Sequence, residues 1–320
     1  MRRFIKIPGI VLLFGLALWF TGPVETLDLT RLSAAEVPVG NLDAWLVAEE
    51  AKVPGITKGA QKEIIWAGEP GTRTKIAVVY LHGWSATRQE VSPVTEEVAK
   101  ALGANVFFTR YTGHGLDGAA LGKATAGDWL QDTGEALEIG HRLGDTVIVI
   151  SASTGGSLAL LAAVLGDRVD GYVLISPNFG LHHPLAFLLS WPWARDFVPF
   201  LVGEIIEWEP RSAEHAKFWT NRYPSTVLLP VATVAKAARD ADYSTMTAPV
   251  LAIFSDDDQV VRPDLTRLVL AGWGGPVTLF TPKLAAGGDP FNHMIAGNIH
   301  SPAMTAPVTA EILNWIAASF

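Results

Sequence analysis

Ser153 is the centre of Ser151-Ala152-Ser153-Thr154-Gly155, which follows an apolar run at 147–150 and precedes a helix-like stretch at 156–163. A strand that stops on small residues and turns at once into a helix holds a serine oxygen clear of the backbone. The helix N-terminus beneath it favours developing negative charge. The pattern reads G-x-S-x-G with Ser in the first Gly position, still a small side chain. Turns of this kind also occur in α/β proteins that do no chemistry, so the partners decide. A serine hydroxyl needs a base, and the base needs an orienting group. The chain supplies candidates in the order Ser, acid, His. Ser255-Asp256-Asp257-Asp258-Gln259-Val260-Val261 follows the apolar run 250–254. We take Asp258 as the acid, against the alternative of a solvated acidic turn before Pro263. The loop 287–297 contains His293, the expected base, with His300 close behind as the spare. Two backbone N–H groups must then receive the oxyanion. They are expected from Thr154, next to the nucleophile, and from Trp84 in His82-Gly83-Trp84-Ser85 after the run 76–81. Gly83 is expected to permit a strained backbone there, and His82 to be scaffold rather than base.

These loops need strand ends to carry them. Apolar runs at 64–66, 76–81, 105–109, 146–150, 172–175, 250–254 and 277–280 read as strands. Helical spacing at 93–102, 128–143, 263–270 and 306–318 alternates with them, with Asp128 as the expected N-cap of its helix. Alternation of this kind predicts an α/β protein, a mostly parallel sheet with helices on both faces. Ligands bind beyond the carboxyl ends of such strands, and Ser153 lies at one of those ends.

Five segments in order carry a resemblance: His82-Gly83-Trp84, Tyr111-Thr112-Gly113-His114-Gly115, Ser151 to Gly155, Asp258-Gln259-Val260-Val261 and His293-Met294-Ile295-Ala296-Gly297. From about Glu63 to the C-terminus the sequence resembles the α/β-hydrolases. The Gly-His-Gly segment is similar to the monoacylglycerol lipase and serine aminopeptidase-like branch. The resemblance implies the α/β-hydrolase fold with an inserted helical cap. It also implies Ser153, Asp258 and His293 as nucleophile, acid and base, and Trp84 and Thr154 as oxyanion donors. The core then comprises 61–177 and 248–320, and the cap 178–247. That interruption is far longer than an ordinary connection and holds much of the chain's tryptophan. An aromatic lid over a serine site implies an apolar acyl group or a lipid-like ester; packing of the cap onto the core is the simpler alternative.

Composition narrows the rest. The 320 residues carry a net charge of −8, with no basic run beyond the extreme N-terminus, so nucleic acid is not an expected partner. The absence of cysteine excludes disulfides, thiolate catalysis and cysteine metal sites. No cofactor and no metal is expected, since His182-His183 and His215 lack partnered ligand spacing. Arg2, Arg3 and Lys6 precede an uncharged apolar stretch at 7–24, long enough to span a bilayer. Residues 1–24 are therefore expected to be an uncleaved membrane anchor, with a cleaved signal peptide as the rival. The basic flank places the catalytic part outside the cytoplasm, periplasmic in a Gram-negative cell. Residues 25–60 read as linker and lead-in, with a short helix at 42–52. The expected activity is ester hydrolysis through an acyl-enzyme. Amide or peptide cleavage by the same fold, or a non-catalytic binding protein on a hydrolase scaffold, are the alternatives.

Overall fold

The computed structural model describes residues 15, 19–27 and 37–320. Most of the expected anchor or signal segment, and 28–36 of the lead-in, lie outside the described residues. Helix α1 (Leu42–Glu50) leads into β1 (Glu63–Ile65), β2 (Thr74–Leu81), α2 (Val94–Leu102) and β3 (Asn105–Phe108). The short helix α3 (Gly118–Leu121) and the long α4 (Ala126–Leu143) return the chain to β4 (Gly144–Ala152). Then come α5 (Thr154–Val164) and β5 (Gly171–Ile175). The interruption contributes α6 (Ala194–Val202), β6 (Ile205–Glu207), α7 (Ala213–Phe218), β7 (Arg222–Pro224) and α8 (Leu228–Asp240). Alternation resumes with β8 (Val250–Ile253), α9 (Pro263–Ala271), β9 (Val277–Phe280) and α10 (Pro302–Ser319).

Among the described residues the main sheet has the order β1-β3-β2-β4-β5-β8-β9. Only β1 runs antiparallel to its neighbour; the others pair in parallel. The strands are continuously apolar because both faces are covered. Ala77, Val79, Val147 and Val149 enter one core, while Val78, Tyr80, Ile148 and Ile150 enter the other. Each fully buried Val or Ile contributes about 1.5–3 kcal/mol through burial. β4 sits at the centre of this sheet and is therefore the most firmly held platform for the residue that follows it.

Three local expectations need correction. The cap of α4 is Thr125, not Asp128: Thr125 Oγ1 accepts the Asp128 N–H at 3.1 Å, and Asp128 answers by accepting the Thr125 N–H at 2.9 Å. Asp128 is thus the third residue of a capping box. Helix α10 begins at Pro302 rather than 306, since a proline at the first helical position lacks only an N–H that would have no partner there. The interruption is not all helix. It includes the antiparallel ribbon β6–β7, and its last helix, α8, buries Val231, Val234 and Ala238 in the main core.

Candidate active site

The turn after β4 forms because Gly155 has no side chain. A Cβ there would lie 2.2 Å from the Leu81 carbonyl oxygen and 2.6 Å from that of His82, so only glycine lets α5 start this close to β2. Ser153 takes φ 49° and ψ −118°, a conformation that costs a non-glycine residue about 1–3 kcal/mol. Neighbouring backbone holds it there. Its N–H donates to Ile175 O at 2.9 Å, and its carbonyl accepts from Gly156 and Asn178 at 3.0 Å each. The strain turns the side chain out at the sheet's carboxyl edge, above the N-terminus of α5.

Of the three consecutive aspartates, one points inward. Asp256 pairs with Arg267 at the surface, and Asp257 is exposed. Asp258 is 2% exposed, and its Oδ1 accepts the N–H groups of Val260 and Val261 at 2.8 and 2.9 Å. Its Oδ2 faces His293 Nδ1 at 2.8 Å. With Asp258 accepting, Nδ1 carries the ring proton, and Nε2 is left free to act as base. Burial opposes charge on His293, but the Asp258 carboxylate outweighs it and raises the imidazole pKa above its ordinary value. The base must be neutral to take a proton. Activity should therefore fall as the pH drops through a point above the ordinary histidine value of 6.5, seen as an acid limb in kcat/KM.

Ser153, Thr154, Trp84 and His293 line one cavity of about 400 Å³. No hydrogen bond joins Ser153 Oγ to His293 among the described residues. Such contacts often tighten only when substrate binds. The cavity wall is aromatic and aliphatic on the side of the interruption, with Trp208, Trp219, Tyr223 and Val231. His300 is also in this wall, but packs on the rings of His215 and Trp219. Burial first, then His215, pushes its pKa down to about 4, so it stays neutral among those rings. His82 is scaffold as expected. Its Nδ1 contacts Gly83 O at 2.8 Å and its Nε2 accepts the Tyr111 N–H at 3.1 Å. Gly83 serves differently from the expectation. Its φ is not positive; the positive angle in that loop belongs to Ser85 (φ 60°). Glycine is required for room, because a Cβ would lie 2.8 Å from Glu90 Oε2 and 3.2 Å from Ser153 Cβ.

Sequence reasoning missed two carboxylates. Asp289 Oδ2 accepts the N–H groups of His293 and Met294 at 3.0 and 2.9 Å, shaping the histidine loop. Its Oδ1 takes Arg211 Nη1 at 2.7 Å, a bond that reaches into the interruption. Glu90 is 1% exposed and lines the cavity. No group of three or more His, Asp or Glu is placed to hold a metal among the described residues.

Comparison with known proteins places this geometry in context. A family model described as the alpha/beta hydrolase family matches residues 78–307. A thermostable monoacylglycerol lipase of Bacillus sp. (strain H-257) is 24% identical over 197 residues, covering 62% of this chain and 76% of that protein. Among solved structures, one from work on the metagenome-derived lipolytic enzymes LipS and LipT superposes with a TM-score of 0.66 at 21% identity. It covers 82% of this chain and 99% of that one. The monoacylglycerol lipase of Paleococcus ferrophilus gives a TM-score of 0.58 at 15% identity, covering 81% and 98%.

Proposed function

Because the chain belongs to the alpha/beta hydrolase family, we propose that it is a serine carboxylester hydrolase acting on esters of apolar acyl groups. The carrying observation is the 2.8 Å contact between Asp258 and His293, with that imidazole and Ser153 on the wall of a single cavity. Ser153 Oγ attacks the ester carbonyl while His293 Nε2 takes its proton. The tetrahedral oxyanion is received by the N–H groups of Trp84 and Thr154, donors that stabilise charge present only in the transition state. His293 then passes its proton to the departing alcohol, and water repeats the sequence on the acyl-enzyme. Asp258 keeps the proton on Nδ1 throughout and stabilises the imidazolium. The aromatic wall and the lipase relatives support a lipid-like acyl group; residues 178–247 are its cap.

A fluorophosphonate probe should label Ser153, and acyl esters should turn over at least about tenfold faster than aminoacyl amides of the same side chain, a gap of about 1.4 kcal/mol in barrier. Equal or faster amide cleavage would show a peptidase. No labelling and no turnover would leave a binding protein on this scaffold.

We further propose that residues 1–24 anchor the protein with its catalytic part outside the cytoplasm. Support comes from Arg2, Arg3 and Lys6 before an uncharged apolar stretch. The described end of that stretch, and Glu25 just after it, contact residues 193–197. Trp193 N–H donates to Pro23 O at 2.8 Å, Trp19 stacks on Phe197 with ring centroids 6.2 Å apart, and Arg195 pairs with Glu25 at 2.5 Å. Among the described residues no helix is long and apolar enough to cross a membrane; 1–14 and 16–18 lie outside them. Carbonate extraction should leave the full-length chain in the membrane pellet, and recovery in the supernatant would refute the anchor.

A further inference from the structure

Glu90 ends the 3-10 turn Arg88–Glu90, just beyond the loop that supplies Trp84. Its carboxyl is buried, yet no cation pairs with it among the described residues. Its Oε1 accepts two neutral donors, Tyr80 Oη at 2.8 Å and the Gly83 N–H. Its Oε2 lies 2.8 Å from the position a Cβ on Gly83 would take, and Ser153 Cβ lies 3.2 Å from that same position. The carboxyl therefore flanks the nucleophile across Gly83, where any side chain would have to displace it.

Two consequences follow. The Gly83 N–H is spent on Glu90, so it cannot serve the oxyanion. That bond holds the peptide before Gly83, and His82 Nδ1 on Gly83 O at 2.8 Å holds the peptide after it, which carries the Trp84 N–H; together they set the direction of that donor. A negative charge at Glu90 would sit beside the oxyanion and repel it. Resting on the hydrolase reading above, we propose that Glu90 is a positioning residue of the oxyanion loop and works as the neutral acid, holding the Trp84 donor in line without opposing the charge that forms there.

The surroundings favour the neutral form. Tyr80 faces Glu90 from β2 and Tyr111 from the segment after β3, both as neutral phenols. Glu96 of α2 adds negative charge near Tyr80, and His293 faces Glu90 from the histidine loop. Burial pushes the Glu90 pKa up to about 7, although Gly83, Tyr80 and His293 pull the other way. The sign is then fixed. Glu90 is neutral below that pH and ionises above it, so kcat declines on the alkaline side. His293 supplies the opposite, acid limb.

The test compares full-length wild type, E90A and E90Q, with rates divided by the sites that a fluorophosphonate labels at end point. E90A should lose about 10- to 100-fold in kcat at nearly constant KM, somewhat less than deleting an oxyanion donor outright. A trifluoromethyl ketone, which forms a tetrahedral oxyanion on the serine, should weaken by the same factor. E90Q keeps an acceptor for Gly83 and Tyr80; it should restore most of that kcat and lose the alkaline limb. E90A active at the wild-type rate per labelled site, or an alkaline limb surviving in E90Q, would overturn the proposal. If E90A does not fold, as near-UV circular dichroism would show, the pH profile of E90Q still decides it. Wild type that neither labels nor turns over removes the hydrolase reading itself.

Discussion

Ser153→Ala should lower ester turnover by about 10⁶-fold, since removing the nucleophile of a serine triad costs nearly as much as removing the whole triad. The fold should be unaffected. The Ser153 side chain makes no capping bond to α5, and the three backbone bonds that hold its strained conformation do not involve the hydroxyl. Alanine has a Cβ as serine does, so the φ of 49° costs the same in both. Thermal unfolding and far-UV circular dichroism should match wild type while fluorophosphonate labelling disappears. Turnover within about a hundredfold of wild type, a barrier change under about 3 kcal/mol, would remove Ser153 from its role.

Asp258→Asn should cost about 10⁴-fold in kcat with the cavity geometrically intact. Asn Oδ1 still accepts the Val260 and Val261 N–H groups, which fixes the amide orientation. The Nδ2 group must then donate toward His293 Nδ1. That nitrogen can no longer carry the proton, the proton moves to Nε2, and the base is lost. The same substitution removes the carboxylate that raises the His293 pKa, so whatever activity remains should show an acid limb at lower pH. A loss of less than about tenfold, under about 1.4 kcal/mol, would mean that another group orients the imidazole.

The loops that carry Ser153, Asp258 and His293 were legible because each follows an apolar run of strand length. Periodicity locates a strand end, and chemistry in an α/β sheet concentrates there. The cap of α4 was misread because Thr125 and Asp128 both suit a helix start, and only the reciprocal bonds tell them apart. Pro307, inside α10, hid the true start at Pro302. The ribbon β6–β7 escaped because three-residue strands carry too little alternation to register. Glu90 and Asp289 were invisible for a different reason. Nothing nearby in sequence marks either as buried; their roles are set by Gly83, Tyr80, His293 and Arg211, which only the fold assembles.

Asp289 takes on a further meaning here. One of its oxygens steadies the backbone of the histidine loop, and the other grips the guanidinium of Arg211 from the long segment between β5 and β8. A single carboxylate thus ties the backbone at His293 to Arg211, so any displacement of the segment around Arg211 would take a charged partner from the group that shapes the histidine loop.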